Sequence, residues 1–292
     1  MKKQVLTLFL LLSAVPLFAQ PDIQKDFEKL MVNKTGVPYG TNKAAGTFYN
    51  IRGFKMYVET YGGGKPLLII HGNGGSISNF VNQIPYFAKK YKVIIADSRA
   101  QGRSADVSDS LSYEMMADDY AALLDEMKID SAYVIGWSDG GINGLLLAMR
   151  HPQKVAKLAI TGANLWPDTT AVVNEVEQLV MPDYLSLKNK TNKTAQEKGA
   201  WKLMRLIVEE PHISVSDLQK ITVPTLVVGG DHDVIKPEHT LLIAQSIPQS
   251  YLWILPNSGH STPVVYKEEF NKTVADFFSK PYRKIEKETR FF

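Results

Sequence analysis

The sequence predicts an α/β fold in which a mostly parallel sheet is flanked by helices. Two observations support this prediction. The chain has 292 residues, of which 45% are hydrophobic, and this is enough to bury one large core. Short apolar runs also alternate with longer segments of helical periodicity, a pattern typical of strand–helix–strand units. We therefore expect one domain over residues 46–280 that contains a single insertion.

The predicted strands are short apolar runs bounded by glycine, proline or polar residues. They cover residues 55–60, 67–70, 93–96, 132–135, 155–160, 225–228 and 251–255. The predicted helices lie between them at residues 77–89, 113–127, 140–150, 237–246 and 263–278. Residues 165–216 interrupt this alternation, because they are too many for a simple helix–strand connection. Within them, residues 170–180 and 199–209 have helical periodicity.

The segment Gly-Trp-Ser-Asp-Gly at residues 136–140 lies between a predicted strand and a predicted helix. In this context the pattern G-x-S-x-G predicts a sharp turn that exposes Ser138 above the sheet. The flanking glycines remove side chains that would clash in such a turn. The helix that follows favours negative charge at its N-terminus. The pattern also occurs by chance, but here the context favours a nucleophilic serine over a structural glycine-rich turn.

Residues that could activate this serine follow two later strands. Asp233 comes after the strand at 225–228, and His260 comes after the strand at 251–255. A histidine can take the proton of Ser138 while a carboxylate orients the imidazole. Asp233 is preferred as this carboxylate, because it lies far enough beyond its strand to reach His260. Asp231, which could instead brace the turn, and Asp168, which follows the strand at 155–160, remain alternatives.

Several motifs, taken together, resemble the α/β-hydrolase superfamily over residues 50–280. These are His-Gly-Asn-Gly-Gly at 71–75, Asp-Ser-Arg-Ala-Gln-Gly-Arg-Ser at 97–104, and the serine motif at 136–140. Ala100 stands where the second motif usually has glycine. The serine motif, extended by Gly141, and Gly-Ala-Asn at 162–164 are similar to the valacyclovir-hydrolase-like carboxylesterase branch.

The resemblance implies roles for further residues. The backbone N–H groups of Asn73 and Asp139 would bind the oxyanion of a tetrahedral intermediate. The insertion at 165–216 would form a small helical cap over the site. Its large apolar side chains are candidates for a substrate pocket, although any one of them is more often a packing residue. These candidates are Trp166, Tyr184 and Trp201, together with Met181, Leu185 and Met204.

Asp139 supports a second hypothesis. A carboxylate directly after the nucleophile could attract a substrate ammonium and favour amino-acid esters. Alternatively, its side chain faces solvent or braces Asn73, and only its N–H acts in catalysis, because a buried charge needs a partner.

The N-terminus predicts export. Residues 1–19 combine a basic start with an apolar run and a small residue at position 19, as in a cleaved signal peptide. The run is too short for a stable membrane anchor, so we expect a periplasmic or extracellular protein. Residues 20–45 predict a polar lead-in and residues 281–292 a charged, solvated tail.

The sequence gives no indication of nucleic acid, metal or cofactor binding. The formal net charge is only +3, which gives no reason to expect nucleic acid as a partner. Asp231, His232 and Asp233 are clustered and His239 follows, but the spacing of the two histidines does not bring them to one point, so no metal is expected. No cofactor is implied either.

The sequence thus predicts a serine hydrolase that cleaves carboxylic esters of small molecules through an acyl-enzyme. Its activity should fall as the pH drops through the pKa of His260, near 6.5 if that pKa is unperturbed. The alternatives are a lactonase, an amidase or a C–C bond hydrolase with the same residues, or a catalytically weak ligand-binding protein.

Overall fold

A computed structural model describes residues 29–31, 33–106 and 108–291 of the chain. Its eight strands are β1 Gly46–Ile51, β2 Phe54–Gly62, β3 Lys65–Ile70, β4 Tyr91–Ala96, β5 Ala132–Trp137, β6 Val155–Thr161, β7 Thr225–Gly230 and β8 Ser250–Leu255. They form one sheet in the order β1-β2-β4-β3-β5-β6-β7-β8. The pairs β1–β2 and β2–β4 are antiparallel and all the others are parallel. The predicted fold class is therefore confirmed.

Helices cover the two faces of this sheet. They are α1 Ile84–Phe87, α2 Tyr113–Glu126, α3 Asp139–Arg150, α4 Asn174–Asn189, α5 Ala195–Glu209, α6 Pro237–Ser246, α7 Thr262–Val265 and α8 Lys267–Ser279. Short 3₁₀ turns lie at Ile77–Phe80, Pro152–Lys154, Val215–Lys220 and Lys287–Phe291. The central strands are buried on both faces, because one hydrophobic cluster packs on each side of the sheet. This burial explains why those strands are near-continuous apolar runs in the sequence.

The first strand of the sheet was absent from the predicted set, which began at residue 55. β1 pairs with β2 through a two-residue turn at Arg52 and Gly53, whose φ angles are 42° and 91°. Two-residue hairpins favour turns in which both central residues have positive φ. An arginine in the first of these positions is not a typical hairpin signal, and most of β1 is exposed or half-buried at the sheet edge.

The single helix predicted at 77–89 is wrong. The structure has the 3₁₀ turn Ile77–Phe80 followed by the four-residue helix α1. Pro85 explains the break, because proline has no N–H and its ring clashes with the carbonyl group four residues earlier. It lies in the first turn of α1, where the missing N–H costs nothing. The helix predicted at 263–278 is likewise divided at Tyr266, between α7 and α8.

The insertion contains two helices that are longer than predicted. α4 and α5 pack on each other through a small cluster centred on Val180, Tyr184 and Met204. α5 begins earlier than expected because Thr194 and Glu197 form a reciprocal capping box at its N-terminus. The predicted limits of the cap and of the whole domain stay predictions.

Part of the predicted lead-in is attached to the sheet. The carboxylate of Glu59, on β2, accepts hydrogen bonds from the backbone N–H groups of Gly40 and Asn42, at 2.9 and 2.8 Å. The predicted signal peptide at 1–19 lies outside the described residues, and export stays a prediction that the N-terminal sequence of the mature protein would test. Within the portion of the chain that the structure covers, no helix is long and apolar enough to span a membrane.

Candidate active site

Ser138 lies in the sharp turn between β5 and α3. Its φ and ψ angles are 58° and −121°, a strained conformation for a residue with a side chain. The glycines on either side are required by close packing. A Cβ on Gly136 would lie 2.1 Å from the carbonyl oxygen of Gly140, and a Cβ on Gly140 would lie 2.0 Å from that of Ile70. The motif therefore forms the strand–turn–helix structure that its context predicted.

The side chains of Ser138, His260 and Asp233 form a continuous hydrogen-bonded chain. His260 Nε2 lies 2.9 Å from Ser138 Oγ, and His260 Nδ1 lies 2.7 Å from Asp233 Oδ1. Since a carboxylate accepts at Nδ1, this nitrogen carries the proton and Nε2 can accept the hydroxyl proton of Ser138. The structure thus brings together three residues that lie far apart in the sequence.

The two alternative carboxylates are engaged elsewhere. Asp231 Oδ1 lies 2.8 Å from His232 Nδ1 and accepts the backbone N–H of Ser258 at 3.1 Å, so it braces the turn. Asp168 is exposed and accepts a hydrogen bond from the backbone N–H of Thr170 at 2.8 Å. Of the three candidates, it is Asp233 that contacts the imidazole.

The surroundings of His260 favour its protonated form. Burial acts to lower the pKa of His260, but the charge and hydrogen bond of Asp233 and the charge of Asp139 outweigh it. The pKa of His260 is therefore raised above the ordinary 6.5. A raised pKa makes this imidazole a stronger base for the proton of Ser138.

The loop at residues 71–75 follows β3 and lies against Ser138. A Cβ on Gly72 would lie 3.6 Å from Ser138 Oγ. His71 holds this loop, because its Nε2 accepts the backbone N–H of Ser98 at 2.9 Å and its Nδ1 donates to the carbonyl of Gly72 at 2.7 Å. Burial lowers the pKa of His71 to about 4, which keeps the ring neutral and able to accept.

The backbone N–H groups of Asn73 and Asp139 belong to two different segments of the site. Asn73 belongs to the loop after β3, whereas Asp139 is the first residue of α3. The N–H groups of a first helical turn have no acceptor within their own helix, so that of Asp139 can be offered to a ligand. The assignment of these two donors to an oxyanion stays a prediction.

The carboxylate of Asp139 is buried and accepts hydrogen bonds on both oxygens. Tyr113 OH donates to Oδ1 and Asn73 Nδ2 donates to Oδ2, each at 2.9 Å. Burial raises the pKa of Asp139 to about 6, although these two hydrogen bonds act to lower it. The contacts match the second hypothesis for this residue, in which it braces Asn73. Recognition of an amine stays a prediction.

A cavity of about 510 Å³ opens above Ser138 and His260. Its floor is formed by the loops after β3 and β5, and its roof comes from the insertion. The apolar part of the wall consists of Trp137, Pro167, Val172, Val173, Val176, Val180, Met181, Ile207, Val208, Val234 and Ile235. Such a volume suits a small molecule.

Trp166, Tyr184 and Trp201 do not line this cavity, whereas Met181 from the same set of candidates does, and a part for the three aromatic residues in substrate binding stays a prediction. Tyr184 and Trp201 pack on each other between α4 and α5, with their ring centroids 5.2 Å apart. Trp166 packs edge-on against His239, with centroids 4.7 Å apart. Large aromatic side chains are used here to hold the insertion together and to the core. The valines at 173, 176 and 180, spaced as on one helix face, were the signal in the sequence that could have indicated the wall.

The polar part of the wall combines amide and hydroxyl groups with four carboxylates. Its carboxylates belong to Asp139, Asp168, Glu177 and Glu210. Among the residues that the structure describes, no lysine or arginine lines the cavity. Glu210 accepts the backbone N–H of Tyr113 at 3.1 Å, and burial raises the pKa of Glu210. Glu210 has no predicted function, because isolated acidic residues give no signal in a sequence until the fold brings them together.

Comparisons with known proteins agree with this fold. The family model described as alpha/beta hydrolase fold matches residues 65–200. RutD of Serratia proteamaculans, which is named for carbamate hydrolysis, is 28% identical over 264 residues, covering 77% of this chain and 96% of its own. The serine hydrolase BPHL of Homo sapiens is 26% identical over 243 residues, covering 76% of this chain and 81% of its own.

The fold is also shared with solved structures. The structure of Est816, an N-acyl homoserine lactone degrading enzyme, has a TM-score of 0.67 and 25% sequence identity, and covers 79% of this chain and 100% of its own.

Proposed function

Because the chain belongs to the α/β-hydrolase superfamily, we propose that it is a serine hydrolase that cleaves carboxylic esters of small molecules through an acyl-enzyme. The observation that carries this proposal is the hydrogen-bonded chain from Ser138 through His260 to Asp233 at the floor of a cavity. A buried carboxylate, a histidine with raised pKa and a strained serine together supply what nucleophilic catalysis needs.

The first half of the reaction forms an ester on Ser138. Its Oγ attacks the substrate carbonyl while His260 Nε2 takes the hydroxyl proton. The backbone N–H groups of Asn73 and Asp139 hold the oxyanion of the tetrahedral intermediate. This intermediate collapses, the bond to the leaving alcohol breaks, and His260 returns the proton to the alcohol oxygen.

The second half regenerates the serine. A water molecule gives a proton to His260 and attacks the acyl carbonyl, and the carboxylic acid leaves as Ser138 regains its proton. Asp233 orients the imidazole in both halves and stabilises its protonated form.

The cavity wall indicates which esters fit. Its valines and other aliphatic side chains suit a short or medium acyl chain. Its four carboxylates disfavour an anionic substrate, because like charges repel, and water screens the exposed Asp168 and Glu177 more than the buried Asp139. We therefore expect neutral or cationic esters to be preferred to carboxylate-bearing ones. The proposed recognition of a substrate ammonium by Asp139 is compatible with this charge.

Lactone hydrolysis is the second candidate. The likeness to Est816 favours it, and attack on a cyclic ester requires the same serine, histidine and oxyanion donors. Cleavage of an amide or a C–C bond requires a poorer leaving group to depart from the same intermediate. Among the described residues, no contact in the site favours either of these substrates.

Hydrolysis of p-nitrophenyl esters from acetate to laurate, by the native protein and by Ser138→Ala, tests the proposal. We expect turnover that the substitution reduces by about 10⁴- to 10⁶-fold. Mass spectrometry after treatment with a fluorophosphonate should show one covalent adduct in the native protein and none in Ser138→Ala. A folded native protein with neither turnover nor adduct would instead indicate a ligand-binding role, and turnover of lactones alone would favour the second candidate.

A further inference from the structure

The side chain of Asn73 joins the loop at residues 71–75 to helix α5 of the insertion. Its Nδ2 donates one hydrogen bond to Asp139 Oδ2 at 2.9 Å and another to the backbone carbonyl of Leu203, on α5, at 3.1 Å. Both partners are acceptors, so the orientation of the amide is determined: its nitrogen must face them. One amide group thus contacts the serine turn and the cap at once.

Lys202, the neighbour of Leu203 in the sequence, holds helix α5 in position. Lys202 is buried, and its Nζ donates to the backbone carbonyls of Asp106 and Ser108 at 3.0 and 2.7 Å. It also lies 3.6 Å from Asp106 Oδ2. Separating a buried ammonium from its partners is strongly unfavourable, so Lys202 opposes any rotation or sliding of α5. The carbonyl of Leu203 is therefore a well-placed anchor for Asn73.

The far end of α5 is attached to the same network. Glu210, at its C-terminal end, accepts the backbone N–H of Tyr113, and the hydroxyl group of Tyr113 donates to Asp139. Asn73 and Tyr113 both donate side-chain hydrogen bonds to Asp139, and we call this arrangement the bridge. Each of them is also hydrogen-bonded to α5 or to the residue that follows it.

We propose that the cap helix α5 positions the oxyanion donors, with Asn73 as the positioning residue that connects Leu203 to Asp139. This inference rests on the proposed function, since it concerns the backbone N–H groups assigned there to the oxyanion. It gives the cap a role in the chemical step, in addition to lining the cavity. The role should not depend on substrate size, because Asn73 and Asp139, which also line the cavity, are joined here to other protein groups rather than to the substrate.

The test uses p-nitrophenyl acetate, the smallest ester of the series. Asn73→Ala keeps the backbone N–H but removes the bridge. We expect kcat to fall by about 10- to 100-fold with KM within about twofold, because oxyanion donors act in the transition state and lose effect when displaced. Lys202→Met keeps the length of the stem but removes the buried ammonium, and should lower kcat by about 3- to 10-fold.

The double variant provides the readout that a merely structural role would not produce. If Lys202 acts on catalysis through Asn73, then Lys202→Met should lower kcat little further once Asn73 is alanine. Asn271→Ala is the matched control, since Asn271 is a buried asparagine on α8 that makes two hydrogen bonds of its own, to Asn82 and Gln83. It should lower stability and leave kcat unchanged.

Three outcomes would overturn the inference. An unchanged kcat in Asn73→Ala, or multiplicative effects in the double variant, would do so while leaving the proposed function intact, provided that Ser138→Ala is inactive. A native protein without ester or lactone turnover would overturn both proposals together.

Discussion

The floor and the roof of the cavity are built in different ways. On the floor, each functional group follows the carboxyl end of a parallel strand, and glycines pack so closely that an added Cβ would lie about 2 Å from backbone oxygens. In the roof, aliphatic side chains of α4 and α5 face the cavity, and many of them are partly exposed. The proposed chemistry therefore depends on backbone geometry, which tolerates little change, whereas the shape of the cavity depends on side chains that can be exchanged.

The largest difference between floor and roof should appear when Asp233 is replaced by asparagine. We expect kcat for p-nitrophenyl acetate to fall by about 10⁴-fold, because an amide cannot hold the imidazole in the productive tautomer or stabilise its protonated form. Asp231→Asn is the matched control, since Asp231 contacts His232 and the backbone of Ser258 instead of His260. A comparable loss in Asp231→Asn would show that the carboxylates have been assigned the wrong way round.

The pH dependence of kcat/KM should reflect the environment of His260. Only the neutral imidazole can accept the proton of Ser138, so kcat/KM falls as the pH drops through the pKa of free His260. Because that pKa is raised, the acidic limb of the profile should lie above pH 6.5. In the residual activity of Asp233→Asn the limb should move to lower pH, since the largest favourable charge has been removed. A limb below pH 6.5 in the native protein would contradict this assignment.

Substitutions in the roof of the cavity should change the preferred acyl chain length of the substrate. Val208→Trp adds bulk to the cavity wall from α5. We expect laurate to lose about 10- to 200-fold more activity than acetate, as one or a few mismatched groups in an apolar pocket do. Trp201→Phe should leave the chain-length profile unchanged, because Trp201 packs on Tyr184 outside the wall. A change in the preferred acyl chain length in Trp201→Phe would show that Trp201 does contact the substrate.

The smallest effect concerns a turn that supports the floor. Ala100 has a φ of 62°, in the left-handed region that costs a residue with a Cβ about 1–2 kcal/mol. Ala100→Gly should raise the free energy of unfolding by about 1 kcal/mol or less, because glycine also gains entropy in the unfolded chain. Ala88→Gly should have the opposite sign, since Ala88 has a φ of −60°. Urea denaturation compares the two, and a loss of stability in both would show that Ala100 is not strained.

The prediction from sequence was strongest where a motif constrains the backbone. The serine motif, its flanking strand and helix, and the order of Ser138, Asp233 and His260 all emerged from local patterns. This succeeded because each functional residue follows a buried strand, and buried strands are continuous apolar runs that are easily recognised. The prediction failed for the helix at 77–89, where Pro85 decides the local structure, and for β1, whose exposed edge position leaves little apolar signal.

Local patterns in the chain were thus enough to predict the α/β fold class and the residues that follow the strands. The three-dimensional packing was needed to show which side chains form the cavity wall, that Asp139 braces Asn73, and that α5 contacts the loop at residues 71–75 through the carbonyl of Leu203. These two kinds of feature differ in the range of the interactions that form them. Strands and tight turns depend on neighbouring residues and leave local patterns. The wall and the bridge depend on how two amphipathic helices pack, and a backbone carbonyl such as that of Leu203 has no signature in the sequence at all.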